Sequence, residues 1–137
     1  MAGKLLRKQS GTQLNVVDSC GWLALFGDEA NASFFETAFV NPDLLIVPAL
    51  TLYEVGKRML QDRGEDAALE ALSVMQKGRV VQLEPADLFE AAKTATKNNL
   101  SMGDAIIWQT AHVHGAKLYT QDAGLRQMPN VMFKSKK

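Results

Sequence analysis

Short apolar runs alternate with longer amphipathic stretches along the chain, and this alternation sets the expected elements. "LNVV", from Leu14, reads as a strand that stops at Asp18, and "GWLALF" then begins a helix. A second helix is expected through "DEANASFFETAFV", with Phe34, Phe35, Ala38 and Phe39 on one stripe, before "NPD" breaks it. "LLIV" is the next strand, and Pro48 stands where a first helical residue belongs, leading into "ALTLYEVGKRMLQDR". Gly64 ends that helix, and "EDAALEALSVMQ" repeats the helical pattern. "RVVQLE" is strand-like, "PADLFEAAKTATK" is a helix, and a further helix runs from Gly103 to about His114. "AKLYT", a short helical turn at "DAGLRQM" and a last strand at "NVMF" close the pattern.

Strands alternating with helices predict an α/β domain with a mainly parallel sheet. In such sheets ligands bind beyond the carboxyl ends of the strands, so the residues just after each strand are the ones to inspect. Asp18 directly follows its strand, and Asp122 comes two residues after "AKLYT". Glu54 lies early in the helix after "LLIV", and Asp104 stands at the start of its own helix. Four carboxylates from distant parts of the chain, gathered at one sheet edge, are what a hard divalent cation requires.

Each acid also has a plainer reading. Asp18 and Asp122 are suitable helix N-caps, and Ser101 with Asp104 has the spacing of a capping box. On a helical wheel Glu54 falls opposite Leu52, Val55, Met59 and Leu60, free to pair with Lys57 or Arg58. Asp104 differs, because three, four and seven residues on from it stand Ile107, Trp108 and Ala111. Ile106 and Val113 lie on the other side, so this helix is expected to be covered on both. An inward carboxylate costs several kcal/mol unless it is neutralised, hydrogen-bonded or bound to metal.

Composition narrows the alternatives. The chain has 137 residues, 47% apolar and 22% charged, enough to bury a core without disulfides or structural metals. Cys20 is the only cysteine, which points to a reducing compartment, and it reads as a small core hydrophobe. The apolar runs fall short of the ~18 residues that cross a bilayer, and the basic start has no apolar stretch behind it, so a cytoplasmic location is expected. Fifteen basic against fifteen acidic residues leave no bulk attraction for nucleic acid, so any such role rests on a local site. The basic ends, with Lys4, Arg7 and Lys8 at one and Lys134, Lys136 and Lys137 at the other, read as solvated termini. His112 and His114 point about 200° apart on a helix and cannot share a metal there. Trp22 and Trp108 read as core or subunit-contact aromatics. The chain has no GxxxxGK[ST], GxGxxG or GxSxG motif, which removes the best support for nucleotide hydrolysis, dinucleotide binding and serine hydrolase chemistry.

At these residues the sequence resembles a PIN domain, and more narrowly the VapC-type toxins of bacterial toxin-antitoxin pairs. The family's strand ending in Asp and a hydroxyl residue is matched by "LNVVDS", its helical Glu by "PALTLYEVGKR", its "DAxIxxxA" element by "DAIIWQTA" and its strand with T-x-D by "LYTQD". The resemblance runs from about Leu14 to Phe133. It implies a three-layer α/β/α domain over residues 14–137, with a central sheet of four to five strands and a flexible extension over residues 1–13. It further implies an Mg²⁺- or Mn²⁺-dependent endoribonuclease with Asp18, Glu54, Asp104 and Asp122 as catalytic, metal-binding acids. Ser19 and Thr120 would support them by hydrogen bonds, and Arg58 and Arg126 are candidate contacts to RNA phosphates, with surface ion pairing as the competing use. A small antitoxin and a homodimer are the implied protein partners. Many relatives carry a further acid where Gly124 stands here. The rival readings are a PIN-like binding or regulatory module without catalysis and a phosphate-accepting receiver domain. The latter is disfavoured because Asp18 stands alone after its strand.

Overall fold

Val16 and Val17 point to opposite faces of a strand and are both fully buried, so the strand that carries them is covered on both sides. The computed structural model of the chain describes residues 12–136. Most of the expected N-terminal extension, residues 1–11, lies outside the described residues. Five strands, β1 (Asn15–Val17), β2 (Leu45–Pro48), β3 (Arg79–Val81), β4 (Lys117–Thr120) and β5 (Val131–Phe133), form one sheet in the order β3-β2-β1-β4-β5. Every neighbouring pair is parallel.

Strand residues of one parity, Val17, Leu45 and Val47, pack with Trp22, Phe35, Val55, Met59 and Met75. These come from α1 (Ser19–Phe26), α2 (Ala32–Glu36), α3 (Ala49–Arg63) and α4 (Glu65–Met75). The opposite parity, Val16, Ile46 and Leu118, packs with Ile107, Trp108, Leu125 and Met128. Ile107 and Trp108 belong to α6 (Met102–Val113), which packs against α5 (Pro85–Asn98). The result is the expected three-layer α/β/α arrangement with an all-parallel sheet. No helix among the described residues is long and apolar enough to cross a membrane.

The strand order reverses at β1. From β1 the chain moves outward through β2 and β3, then returns to place β4 on the other side. The ends of β1 and β4 therefore flank the switch point, where open parallel sheets place their ligands.

Several expected elements are shorter or shifted. The helix expected over "DEANASFFETAFV" is only α2, followed by a 3₁₀ turn at Thr37–Phe39, because its five aromatic and β-branched residues support little helix outside the Phe35 and Ala38 contacts. Pro48 closes β2 and caps α3 instead of being its first residue. The strand at "RVVQLE" ends at Val81, because β3 pairs only with Ile46, Val47 and Pro48. Helix α6 is covered on both sides as expected, with Ala105, Ile107, Gln109, Thr110 and Ala111 all buried between the sheet and α5, although Val113 at its end is 45% exposed and Ile106 lines an open groove of about 330 Å³ with Leu50, Leu83 and Leu88.

Candidate metal centre

Asp18 is the N-cap of α1. Its Oδ1 accepts a 2.8 Å hydrogen bond from the Ser19 backbone N–H, and its Oδ2 accepts one of 2.7 Å from Thr120 Oγ1. Thr120 ends β4 and is fully buried, and its hydroxyl oxygen accepts the Asp122 N–H at 2.9 Å. Asp122 then caps the following 3₁₀ turn, its Oδ1 accepting from Gly124 N at 2.8 Å. Asp104 enters from α6, whose first turn is fixed by Ser101 Oγ accepting the Asp104 N–H at 3.2 Å.

These three acids meet. One carboxylate oxygen from each of Asp18, Asp104 and Asp122 lies within 4.8 Å of the others. The fourth, Glu54, stands at the rim of the same edge. Its Oε2 lies 2.8 Å from where a Cβ on Gly103 would be, and its Oε1 is buried without a hydrogen-bond partner. The wheel sets Glu54 opposite Leu52, Val55, Met59 and Leu60, but Leu60 is 53% exposed and the polar Thr51, one turn back on the Glu54 side, is fully buried. The buried face of α3 is Thr51, Val55, Gly56 and Met59, and Glu54 sits beside it, half-buried against the start of α6.

The electrostatics of the cluster favour a cation. Burial pushes the Asp18 carboxyl above its usual range, against the opposing hydrogen bonds from Thr120 and Ser19. Glu54 is raised by burial and by the nearby charge of Asp18, with the Ser19 side chain working the other way. Asp104 is pushed up to about 7, first by burial and then by a hydrogen bond and charge repulsion with Asp122. Adjacent carboxylates crowded together without a counter-charge are under strain that a divalent cation relieves. The all-oxygen donor set and the unpartnered Glu54 oxygen fit a hard ion such as Mg²⁺ or Mn²⁺.

The two arginines stand apart from this cluster. Arg58 pairs with Asp62 at 2.9 Å on the exposed side of α3, and Arg126 lies over the Phe133 ring at 5.9 Å. His112 stacks on Trp108, whereas His114 turns back to the Thr110 carbonyl, so the histidines stay out of the site.

Three nearby residues make contacts at the site that the sequence reading does not give them. Cys20 is only half-buried, and its Sγ donates to Asp18 Oδ2 at 3.6 Å and lies 3.7 Å from Thr120 Oγ1. Burial and the Asp18 charge push its thiol up to about 12. Its place in the first turn after a capping Asp was the available signal, because an N-cap carboxylate faces the next two or three residues. Gly103 admits Glu54, and a Cβ on Gly124 would lie 3.4 Å from Asp104 Oδ2. No sequence pattern announces either close approach.

Residues 16–131 match the sequence profile of the PIN domain. The chain belongs to the PIN domain family. Solved structures agree with this fold. The PIN domain here is similar to the *Mycobacterium tuberculosis* VapC20 structure, a sarcin-ricin loop cleaving toxin, with a TM-score of 0.73 and 18% identity over 85% of this chain and 96% of that one. A toxin-antitoxin complex from *Klebsiella pneumoniae* gives 0.72 and 18% over 86% and 95%, and PAE2754 from *Pyrobaculum aerophilum* gives 0.69 and 24% over 90% of each chain. The comparison with curated proteins gave no match.

Proposed function

We propose that this PIN domain is an Mg²⁺- or Mn²⁺-dependent endoribonuclease of the VapC toxin type. The observation that carries the reading is the meeting of Asp18, Asp104 and Asp122 carboxylate oxygens within 4.8 Å at the point where the strand order reverses. A bound divalent ion supplies an activated water and stabilises the charge that develops on the phosphate. Asp18 and Asp104 are its direct ligands in this reading, and Asp122 and Glu54 complete the set or orient the attacking water. Thr120 and Ser19 hold the acids in place, and Thr120 does so by occupying the Asp18 oxygen at 2.7 Å. Arg58 contacts RNA only by leaving Asp62, whereas Arg126 has no acidic partner among the described residues.

The similar *K. pneumoniae* structure is a toxin-antitoxin complex, which supports a small cognate antitoxin as partner here. A homodimer is part of the same proposal, supported by the uncharged groove lined by Leu88, Ala91, Ala95, Met102 and Ile106. Residues 14–137 act as one nuclease domain in this reading, in the cytoplasm. Purified protein with Mn²⁺ or Mg²⁺ is expected to cut RNA, and EDTA or Asp104→Asn to abolish the cutting. Equal cleavage by the Asn variant would refute the assignment and leave the non-catalytic module in its place.

A further inference from the structure

Strand β5 runs parallel to β4, with Phe133 opposite Thr120, so the chain after Phe133 emerges at the edge that carries the acids. Lys134 N donates to the Thr120 carbonyl at 3.2 Å, and Asn31 Nδ2 donates to the Ser135 carbonyl at 2.9 Å, which fixes the backbone of this segment beside the site. Lys134 and Lys136 are exposed on it, and Arg126 reaches the same strand by lying over the Phe133 ring at 5.9 Å. None of the three makes an ion pair among the described residues, where the pairs are Arg58 with Asp62 and Lys93 with Glu90. A neutral chain thus sets three cations without an acidic partner on the strand end that emerges at the acid-bearing edge.

We infer that Arg126, Lys134 and Lys136 form a phosphate-binding track that holds the RNA strand beside the acid cluster. This inference rests on the nuclease reading. A polyanion entering an acidic cleft needs compensation on the phosphates flanking the one attacked, and unpaired cations on an anchored strand end supply it at little ordering cost. The basic C-terminus, which reads from sequence as a solvated end, is carried to the site by the parallel pairing of β5.

The test uses a fluorescein-labelled single-stranded oligoribonucleotide of mixed sequence and the full chain carrying Asp104→Asn, with binding followed by anisotropy over a series of salt concentrations. Adding R126A/K134A/K136A is expected to weaken binding at least tenfold and to reduce the salt slope by about 2, from ~0.7 per lost phosphate contact. K134A/K136A, which leaves the Arg126–Phe133 contact intact, should produce about two-thirds of that change, and K134R/K136R should bind as the parent does. In the catalytic background the triple variant should raise KM and leave kcat unchanged. Parent-like affinity and slope in the triple variant would overturn the track alone. A protein that binds through these residues yet cuts no RNA keeps the track and overturns the nuclease reading. Equal affinity for polyglutamate would overturn RNA as the occupant.

Discussion

Thr120 Oγ1 donates to Asp18 Oδ2 at 2.7 Å, joining the ends of β4 and β1 across 102 positions of the chain. The same oxygen accepts from Asp122 N, so one buried hydroxyl sets two of the acids. Thr120→Val keeps the shape, leaves the Asp122 N–H without a mate and leaves Asp18 Oδ2 with only the weak Cys20 thiol contact at 3.6 Å. We expect a loss of about 1 to 3 kcal/mol in urea unfolding and a drop in Mn²⁺ affinity of about 10- to 100-fold by calorimetric titration. Thr120→Ser should restore both, and an unchanged Mn²⁺ affinity in the valine variant would remove Thr120 from the site.

Asp104 contributes to the pH dependence of the metal-free protein, alongside the raised Asp18 and Glu54. Its carboxyl is raised from an ordinary 3.8 to about 7, so between these values the folded chain holds a proton that the unfolded chain has released. Its stabilising contribution is therefore complete below about pH 4 and is lost as pH rises through 7. Asp104→Asn removes this dependence. Discounted for its partial exposure and its sharing of a proton with Asp122, the substitution should stabilise the metal-free protein at pH 8 by about 1 to 2 kcal/mol. Thermal melts of both proteins in EDTA from acid to alkaline pH test this, and parallel curves would contradict it.

Metal binding should report the same proton. Near pH 6 Asp104 is largely protonated, so binding of Mn²⁺ should release the Asp104 proton there, and fewer protons should be released above pH 8 than at pH 6. Calorimetry in buffers of different ionisation enthalpy measures the release directly.

Gly103→Ala tests Glu54 without touching a carboxylate. The added Cβ would lie 2.8 Å from Glu54 Oε2, forcing that side chain to shift, while alanine favours the helix. Cleavage should fall about 10- to 100-fold, the range for disturbed support of a metal ligand, with thermal stability kept or raised. Full activity would show that Glu54 takes no part.

Cys20 should be slow to alkylate. With its thiol pushed up to about 12, almost no thiolate exists at pH 8, so iodoacetamide should label the folded protein far more slowly than the urea-unfolded chain. Equal rates would mean that the contact with Asp18 does not persist in solution.

The residues that were readable from sequence are those whose role follows from local geometry. Asp18, Asp104 and Asp122 are each an N-cap or part of one, and caps are placed by spacing alone. Their convergence was readable too, because parallel strands bring all their carboxyl ends to one edge. Glu54 was not readable in this way. Whether it faces the site depends on which residues of α3 are covered by α1, α4 and α6, a tertiary matter that a wheel drawn on apolar residues does not show, since the buried Thr51 is polar. Cys20, Gly103 and Gly124 were missed for the same reason, since each matters through contacts that no local rule specifies. The place of Lys134 and Lys136 at the acid-bearing edge was not readable either, because it follows from the pairing of β5 with β4.

The central pairing of the sheet also orders events in time. β1 is the first strand described and β4 the fourth, yet they lie side by side, and the cluster takes one acid from the end of each. A chain still emerging from the ribosome has Asp18 long before Asp104 and Asp122, and until β4 docks it carries separate helix caps and no shared pocket. The shared pocket therefore assembles only after Thr120 and Asp122 have joined the sheet, more than a hundred positions after Asp18.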